Sequence, residues 1–341
     1  MTDFWSVVGT ELRLGLFLFF VLTGFLLYRG FLRHLHNGTK PDMRLYLRRR
    51  AARILPAYYV AVIGAIILVL LADARGMPPT EQLPLFAVFA QNYSHATFLT
   101  VDSPTWTLCI EVGFYALLPL IVLALIKLRA GWKAQAGVLV GMVVVGLAWR
   151  WTGYTIGGGQ TWDNMLPVWL PFFAFGMAAA LWLEYAKPKP LSPRRTLAIF
   201  AVAVLLVAGN AALLGTVQGG AMHYINDLPA AIGFALLAAL AIVGTGPSLR
   251  WLHMRWLVGL GVISYGFYLW HMPILIIQRD IYPHGGFLLS FAAALPFAVL
   301  AGALSWRFVE KPALRKARGP EKAPAKRPAR RPVVVAENPA S

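Results

Sequence analysis

The chain of 341 residues is 58% hydrophobic and 13% charged, about half the charged fraction of an average soluble domain, which excludes an ordinary soluble protein. Its 31 Lys and Arg against 14 Asp and Glu give a formal charge of +17, a value that can indicate nucleic acid, anionic lipid or membrane topology. The single cysteine, Cys109, rules out an intramolecular disulfide and a metal site made of a cysteine cluster.

Nine apolar segments approach the length that a bilayer core requires, roughly 20 residues. They cover residues 14–32, 56–72, 105–126, 136–152, 166–183, 196–214, 228–246, 256–277 and 286–306. A further apolar segment, 83–92, has about half that length and predicts an interfacial or re-entrant piece, or else a short tenth span. The sequence therefore predicts an all-α, polytopic membrane bundle of about nine transmembrane helices.

The connecting segments differ in positive charge. Of the 31 Lys and Arg residues, 27 lie in alternate connections and in the C-terminal tail, and four lie on the opposite side. Because cytoplasmic loops hold the excess of Lys and Arg, this predicts a multi-pass protein of the cell membrane with its N-terminus outside and its C-terminus in the cytoplasm. The lipid bilayer then accounts for the basic excess, and no nucleic-acid partner is expected.

The two ends of the chain lead to separate predictions. Residues 1–314 are expected to form one membrane domain, and the basic, Pro- and Ala-rich segment 315–341 a disordered cytoplasmic tail. The first span has only about a dozen residues ahead of it, and residues 1–9 lack Lys and Arg, so it is not predicted to be a cleaved signal peptide. An outside N-terminus that short leads us to expect one further inside-to-outside helix before Met1.

Two ionisable residues lie inside predicted spans, where they are expensive to insert and therefore candidates for function. At 1.5 Å per residue, Glu111 lies about 10 Å and His271 about 9 Å from the outer membrane edge. This common depth predicts one outward-facing polar site, with Tyr265 or Tyr268 nearby. The structural alternatives are a helix-packing hydrogen bond for Glu111 and an interfacial position beside an aromatic belt for His271.

A cluster of arginines precedes the second predicted span, on the cytoplasmic side. Arg50 and Arg53 are three residues apart and so share a helix face. Paired guanidinium groups form bidentate contacts with phosphate, which predicts a phosphorylated donor. The alternative is an ordinary Arg-rich inner loop.

Five motifs in the right order resemble the integral-membrane acyltransferase family 3, over roughly residues 14 to 314. The stretches that are similar to the family patterns are FFVLTGFL at 19–26, RAARILPAY at 50–58, WTLCIEVGFY at 106–115, SYGFYLWHMP at 264–273 and WRFVEKP at 306–312. The first has Thr23 where the family usually has Ser.

The resemblance implies transfer of an acyl group, often acetyl, from cytoplasmic acyl-CoA to a hydroxyl of a carbohydrate or secondary-metabolite acceptor, without a metal. Arg50 and Arg53 match the motif that holds the CoA phosphates, whereas Glu111 and His271 match membrane positions with acceptor-side roles. The family's catalytic base is a histidine in a helix ahead of the first motif. No histidine precedes residue 19 here, which implies either a start placed too far downstream or a degenerate member.

Two other function classes stay open at this point. A glycan or lipid transporter would use the same outer polar residues as a binding site. It leaves the arginine pair unexplained, and the spans show neither an inverted repeat nor paired Gly or Pro interruptions. A catalytically inactive family member would only bind a partner.

Overall fold

The computed structural model describes residues 14–71, 77–216, 227–281 and 287–318, and these ranges contain helices and turns but no strand. Eight helices are long and apolar enough to cross a membrane. A shorter ninth helix, Leu228–Val243, is followed by a 3-10 helix, Pro247–His253, and the axes of these two helices differ by 89°. The long helices are α1 Leu14–Asn37, α2 Met43–Leu71, α4 Trp106–Lys127, α5 Trp132–Ile156, α7 Leu166–Ala186, α8 Pro193–Thr216, α9 Leu228–Val243, α10 Arg255–Ile281 and α11 Phe287–Ser305. Three short ones are α3 Pro84–Ala87, α6 Gly159–Asp163 and α12 Lys311–Arg318, the last preceded by a π-helical turn, Trp306–Glu310.

The predicted polytopic helical bundle is confirmed, since each of the nine predicted spans corresponds to one of the long helices. The largest difference is the start of α2, which lies 13 residues before the predicted position 56. The Asp42 carboxylate accepts the backbone N–H of Leu45 at 2.9 Å and so caps this helix. Pro56 then lies inside the helix, and the arginine pair lies on its first turns.

The segment 83–92 is not a tenth span. It contains the four-residue α3 and a 3-10 turn, Gln91–Tyr93, and four helical residues extend only about 6 Å. Two tyrosines of α2 hold α3 in place, because Tyr58 Oη donates to Phe86 O at 2.7 Å and Tyr59 Oη to Ala87 O at 2.8 Å.

The C-terminal region begins with more order than the sequence predicts. Helix α12 extends to Arg318, four residues into the predicted tail. The remainder of that tail, 319–341, lies outside the described residues, as do residues 1–13 at the other end.

The helices associate in two groups. In the first, α1 packs on α7 and α9, α5 on α7, and α8 on α9; in the second, α10 packs on α11, while α2 contacts α10, α12 and the π-helical turn. Helix α4 contacts α1 and α7 of the first group and α2 of the second. The seam between the groups contains the candidate site.

Glycines bring helices close together within both groups. A Cβ on Gly24 or Gly176 would overlap the backbone of the facing helix at the crossing of α1 and α7. At the crossing of α10 and α11, a Cβ on Gly302 would lie 2.8 Å from Phe267 N, and one on Gly266 3.0 Å from Gly302 O. Small residues at such crossings let apolar helices pack backbone against backbone in a membrane.

Candidate functional site

A cavity of about 680 Å³ lies between α1, α2, α4, α10 and α11. Apolar side chains, among them Phe19 of α1 and Leu275 of α10, form much of its wall. Its polar lining residues are Thr23, Arg50, Arg53, Glu111, Tyr115, Ser264, Tyr265, Tyr268 and His271. All four residues predicted from the sequence as site residues therefore line one cavity.

The positions along α10 give the cavity two ends. The Arg53 guanidinium lies 5.5 Å from the ring centroid of Tyr265, which marks the arginine end. His271 follows Tyr265 by six residues, about 9 Å further along the helix. The distribution of positive charge predicts that the arginines and His271 lie toward opposite sides of the membrane, and one cavity in the structure is lined by both.

Glu111 is buried beside the arginine end, with 4% of its surface exposed. Tyr115, one turn further along α4, donates its phenolic hydrogen to Glu111 Oε1. The Arg50 guanidinium lies over the ring of Tyr115, 5.8 Å from its centroid. Both Arg50 and Arg53 attract the Glu111 carboxylate electrostatically. Glu111 thus belongs to a charged network rather than standing alone.

Arg53 has a carboxylate partner that the sequence analysis did not assign. Its Nη1 lies 3.1 Å from Glu310 Oε2, an ion pair between α2 and the π-helical turn that spans 257 positions of sequence. The Glu310 side chain is completely buried, and Ser305 Oγ donates to its other oxygen at 3.3 Å. The pair therefore joins the second group of helices across the arginine end of the cavity.

His271 marks the other end of the cavity. Its Nδ1 lies 2.6 Å from the backbone oxygen of Tyr268. A carbonyl oxygen only accepts hydrogen bonds, so Nδ1 carries the hydrogen, and in the neutral ring Nε2 keeps its lone pair. This is the tautomer in which Nε2 can accept a proton from a ligand.

Tyr268 fixes α10 against the start of α4. Its Oη donates to Pro104 O at 2.8 Å and lies 2.9 Å from Thr107 Oγ1. Since Tyr268 O in turn holds the His271 ring, the orientation of that ring depends on the α10–α4 contact.

Asp102, in the connection before α4, is a buried acid that the sequence analysis missed. It is 1% exposed, and its carboxylate oxygens find no hydrogen-bond partner in the described part of the chain. Burial raises the pKa of the Asp102 carboxyl to about 8. The preceding residue, Val101, has a φ of 59°, a left-handed value that is unusual for a β-branched residue. Such strain and burial are not visible in local sequence pattern.

Metal ligands are not grouped in the described ranges. No cluster of three or more His, Cys, Asp or Glu side chains there could hold an ion. The polar groups of the cavity wall, as far as described, are two arginines, one carboxylate, several hydroxyls and one histidine.

Residues 3–307 match the sequence profile of the acyltransferase domain family. The chain therefore belongs to the integral-membrane acyltransferase family 3 that its motifs resemble. It is 23% identical to the O-acetyltransferase OatA of Staphylococcus aureus (strain NCTC 8325 / PS 47) over 320 residues, which cover 89% of this chain and 53% of the relative.

A second relative is the peptidoglycan O-acetyltransferase OatA of Listeria monocytogenes, 24% identical over 332 residues, or 88% of this chain and 51% of the relative. The chain spans about half the length of the curated relatives it matches. No solved structure matches it.

Proposed function

We propose that this chain transfers an acyl group, acetyl in the first instance, from acyl-CoA to a hydroxyl of a cell-envelope glycan. The observation that carries the proposal is the single cavity that joins Arg50 and Arg53 to Glu111 and His271. A transferase of this kind needs a cationic site for the donor's phosphates and a proton acceptor for the hydroxyl, connected by a space that the thioester can enter.

The donor occupies the cavity from the arginine end. Guanidinium groups bind phosphate through charge-assisted hydrogen bonds, and the CoA phosphates are the most negative part of the donor. The slender pantetheine arm then extends along the apolar wall between α1 and α10. In this pose the thioester carbonyl lies near Glu111 and His271.

The acceptor reacts at the His271 end. Nε2 accepts the hydroxyl proton while the oxygen forms a bond to the thioester carbonyl carbon. The C–S bond then breaks, and the proton passes from the imidazolium to the CoA thiolate. The assignment of this step to His271 is supported by its place in the cavity wall and by the tautomer that leaves Nε2 able to accept a proton. It departs from the role that the resemblance implies, in which the base is a histidine ahead of the first motif.

Glu111 orients the acceptor. Its Oε1 is held by Tyr115, which fixes the plane of the carboxylate in the cavity wall. A carboxylate so placed accepts a hydrogen bond from a glycan hydroxyl that enters the cavity from the His271 end.

The acceptor class follows from the relatives. The Listeria protein is named for peptidoglycan, and both relatives are named as O-acetyltransferases. A polysaccharide of the envelope, presented as sugar hydroxyls at the His271 end, fits the polar residues there.

Transfer by membranes that contain the full chain tests the proposal. With radiolabelled acetyl-CoA and chitotetraose as a soluble glycan, we expect acetyl esters on the sugar and release of CoA. His271→Gln should abolish both, whereas Arg49→Gln, an exposed arginine on the same turn as the pair, should leave both unchanged. Membranes with the chain that release no more CoA than membranes without it would contradict the donor assignment.

A further inference from the structure

The two arginines of the pair differ in their surroundings. Arg53 is paired with Glu310 and also lies over the rings of Tyr265 and Trp306, at 5.5 and 6.0 Å from their centroids. Arg50 forms no such ion pair among the described residues, and its Nε is buried without a hydrogen bond. The Arg53 guanidinium is thus neutralised by a direct ion pair. Arg50, which also lines the cavity, lies over the Tyr115 ring and attracts Glu111 without a direct ion pair, and its Nε keeps an unused hydrogen.

The burial of Glu310 and its position at the end of the π-helical turn indicate a structural role for this residue. Its side chain has no exposed surface, and a buried carboxylate is stable only when it is paired and hydrogen-bonded. It ends the π-helical turn Trp306–Glu310, which holds one residue more per turn than an α-helix. Each residue of an α-helix turns the side-chain direction by about 100°, so this extra residue sets where the Glu310 side chain points.

We infer that Glu310 is a positioning residue that fixes Arg53, and that Arg50 supplies the charge that binds the donor's phosphate. This inference rests on the proposed function, because the anion in question is the phosphate of acyl-CoA. The two arginines therefore have different roles, although their spacing in the sequence gives no reason to distinguish them.

The division makes the variants behave differently. Arg53→Gln leaves the Glu310 carboxylate buried without its partner, so the variant loses stability and the α2 face is displaced. Glu310→Gln in the same chain removes that unpaired charge and restores the fold. Arg50→Gln removes the phosphate ligand, while the buried Glu111 carboxylate keeps the attraction of Arg53 and the hydrogen bond from Tyr115.

The test is a double-variant cycle on the purified full chain in detergent. The variants are Arg50→Gln, Arg53→Gln, Glu310→Gln and the two double variants of Glu310→Gln with each arginine change, with Arg49→Gln as the exposed control. The measurements are the thermal unfolding midpoint, KM and kcat for acetyl-CoA hydrolysis, and the Kd of adenosine 3′,5′-bisphosphate as a phosphate probe.

We expect Arg50→Gln to raise KM and the probe's Kd about tenfold or more, with a smaller loss of midpoint than in Arg53→Gln and no rescue by Glu310→Gln. Arg53→Gln should lower the midpoint and kcat. The double variant Arg53→Gln with Glu310→Gln should recover the midpoint and keep KM within about threefold of the wild type.

Two results would overturn the inference. In the first, Arg53→Gln raises KM as much as Arg50→Gln does even when Glu310→Gln is present. In the second, Glu310→Gln fails to recover the midpoint of Arg53→Gln, which removes the positioning role. A wild-type chain that binds neither acetyl-CoA nor the probe overturns the proposed function and the Arg50 assignment with it, whereas the midpoints still decide the Arg53–Glu310 pairing.

Discussion

Glu111 is the one carboxylate in the described wall of the cavity, and the proposed chemistry uses its charge to orient the acceptor. Glu111→Gln keeps the shape and most of the hydrogen-bonding capacity of the side chain but removes its charge. We expect kcat for acetyl transfer to fall by about 100-fold or more, with membrane insertion and unfolding midpoint close to those of the wild type. Glu184→Gln, in α7 and away from the cavity, is the control. A Glu111→Gln chain with wild-type kcat would remove Glu111 from the reaction.

The burial of the Asp102 carboxyl predicts a pH-dependent stability. Its pKa is about 8 in the folded chain, against 3.8 for an ordinary Asp, so between these values the unfolded chain binds fewer protons at this site than the folded one. Stability from this carboxyl is therefore complete below about pH 4 and is lost as pH rises toward 8, at about 1.4 kcal/mol per pH unit.

Asp102→Asn removes this dependence, since the amide is neutral at every pH. We expect the unfolding midpoint of the variant to exceed that of the wild type at pH 8.5 and to approach it at pH 4. Thermal unfolding in detergent across this pH range measures the difference. A difference that is constant with pH would show that Asp102 does not titrate in this way.

Among single residues, the four site residues can be predicted from the sequence because each belongs to a recognisable local pattern. Glu111 and His271 are ionisable groups in apolar spans, and Arg50 and Arg53 share one face of a helix. Glu310 escapes this reasoning, because its partner lies 257 positions away and only the folded helices bring the two together.

The helix crossings depend on single glycines, and the crossing of α10 and α11 forms one wall of the cavity. Gly302→Ala places a methyl group 2.8 Å from Phe267 N, so α11 must move away from α10 at a cost of about 1–3 kcal/mol. Gly259→Ala, in α10 at a position with open space, should be neutral or stabilising by up to about 1 kcal/mol, since Ala favours helix over Gly.

Unfolding midpoints and acetyl-CoA turnover of these two variants check the role of the crossing. We expect Gly302→Ala to lower both and Gly259→Ala to lower neither. Equal effects at the two positions would mean that the crossing does not shape the site.

At the element scale, apolar length and composition are sufficient to predict the nine long helices, because a membrane span must be both apolar and about 20 residues long. They are insufficient for helix starts that lie in polar sequence. The first turns of α2 contain Arg44, Arg48 and Arg49, so hydropathy does not show that the helix begins at Met43, where the Asp42 carboxylate caps it.

The orientation of the whole molecule in the membrane is predicted from the distribution of positive charge. With 27 of the 31 Lys and Arg residues on one side, the C-terminus should lie in the cytoplasm. A C-terminal green fluorescent protein fusion should then be fluorescent in a bacterial host, and an alkaline phosphatase fusion at the same position inactive. The reverse pattern would invert the proposed donor and acceptor sides.

In the whole molecule, the candidate site lies in the seam between the two groups of helices. The sequence of a single helix does not predict this position. The arginine end depends on α2 and the π-helical turn, and the histidine end on α10 and the start of α4. The sequence indicates the individual site residues but not the cavity that they share. The contacts that form the cavity join residues more than 100 positions apart in the sequence.

The proposed function places the acyl donor in one cavity, between Arg50 and His271. An electron cryo-microscopy map of the full chain in a lipid nanodisc, with a non-hydrolysable thioether analogue of acetyl-CoA bound, would show this position. We expect a phosphate within about 3 Å of the Arg50 guanidinium and the acetyl group between Glu111 and His271. An analogue bound outside this cavity, or one with its phosphates at the His271 end, would contradict it.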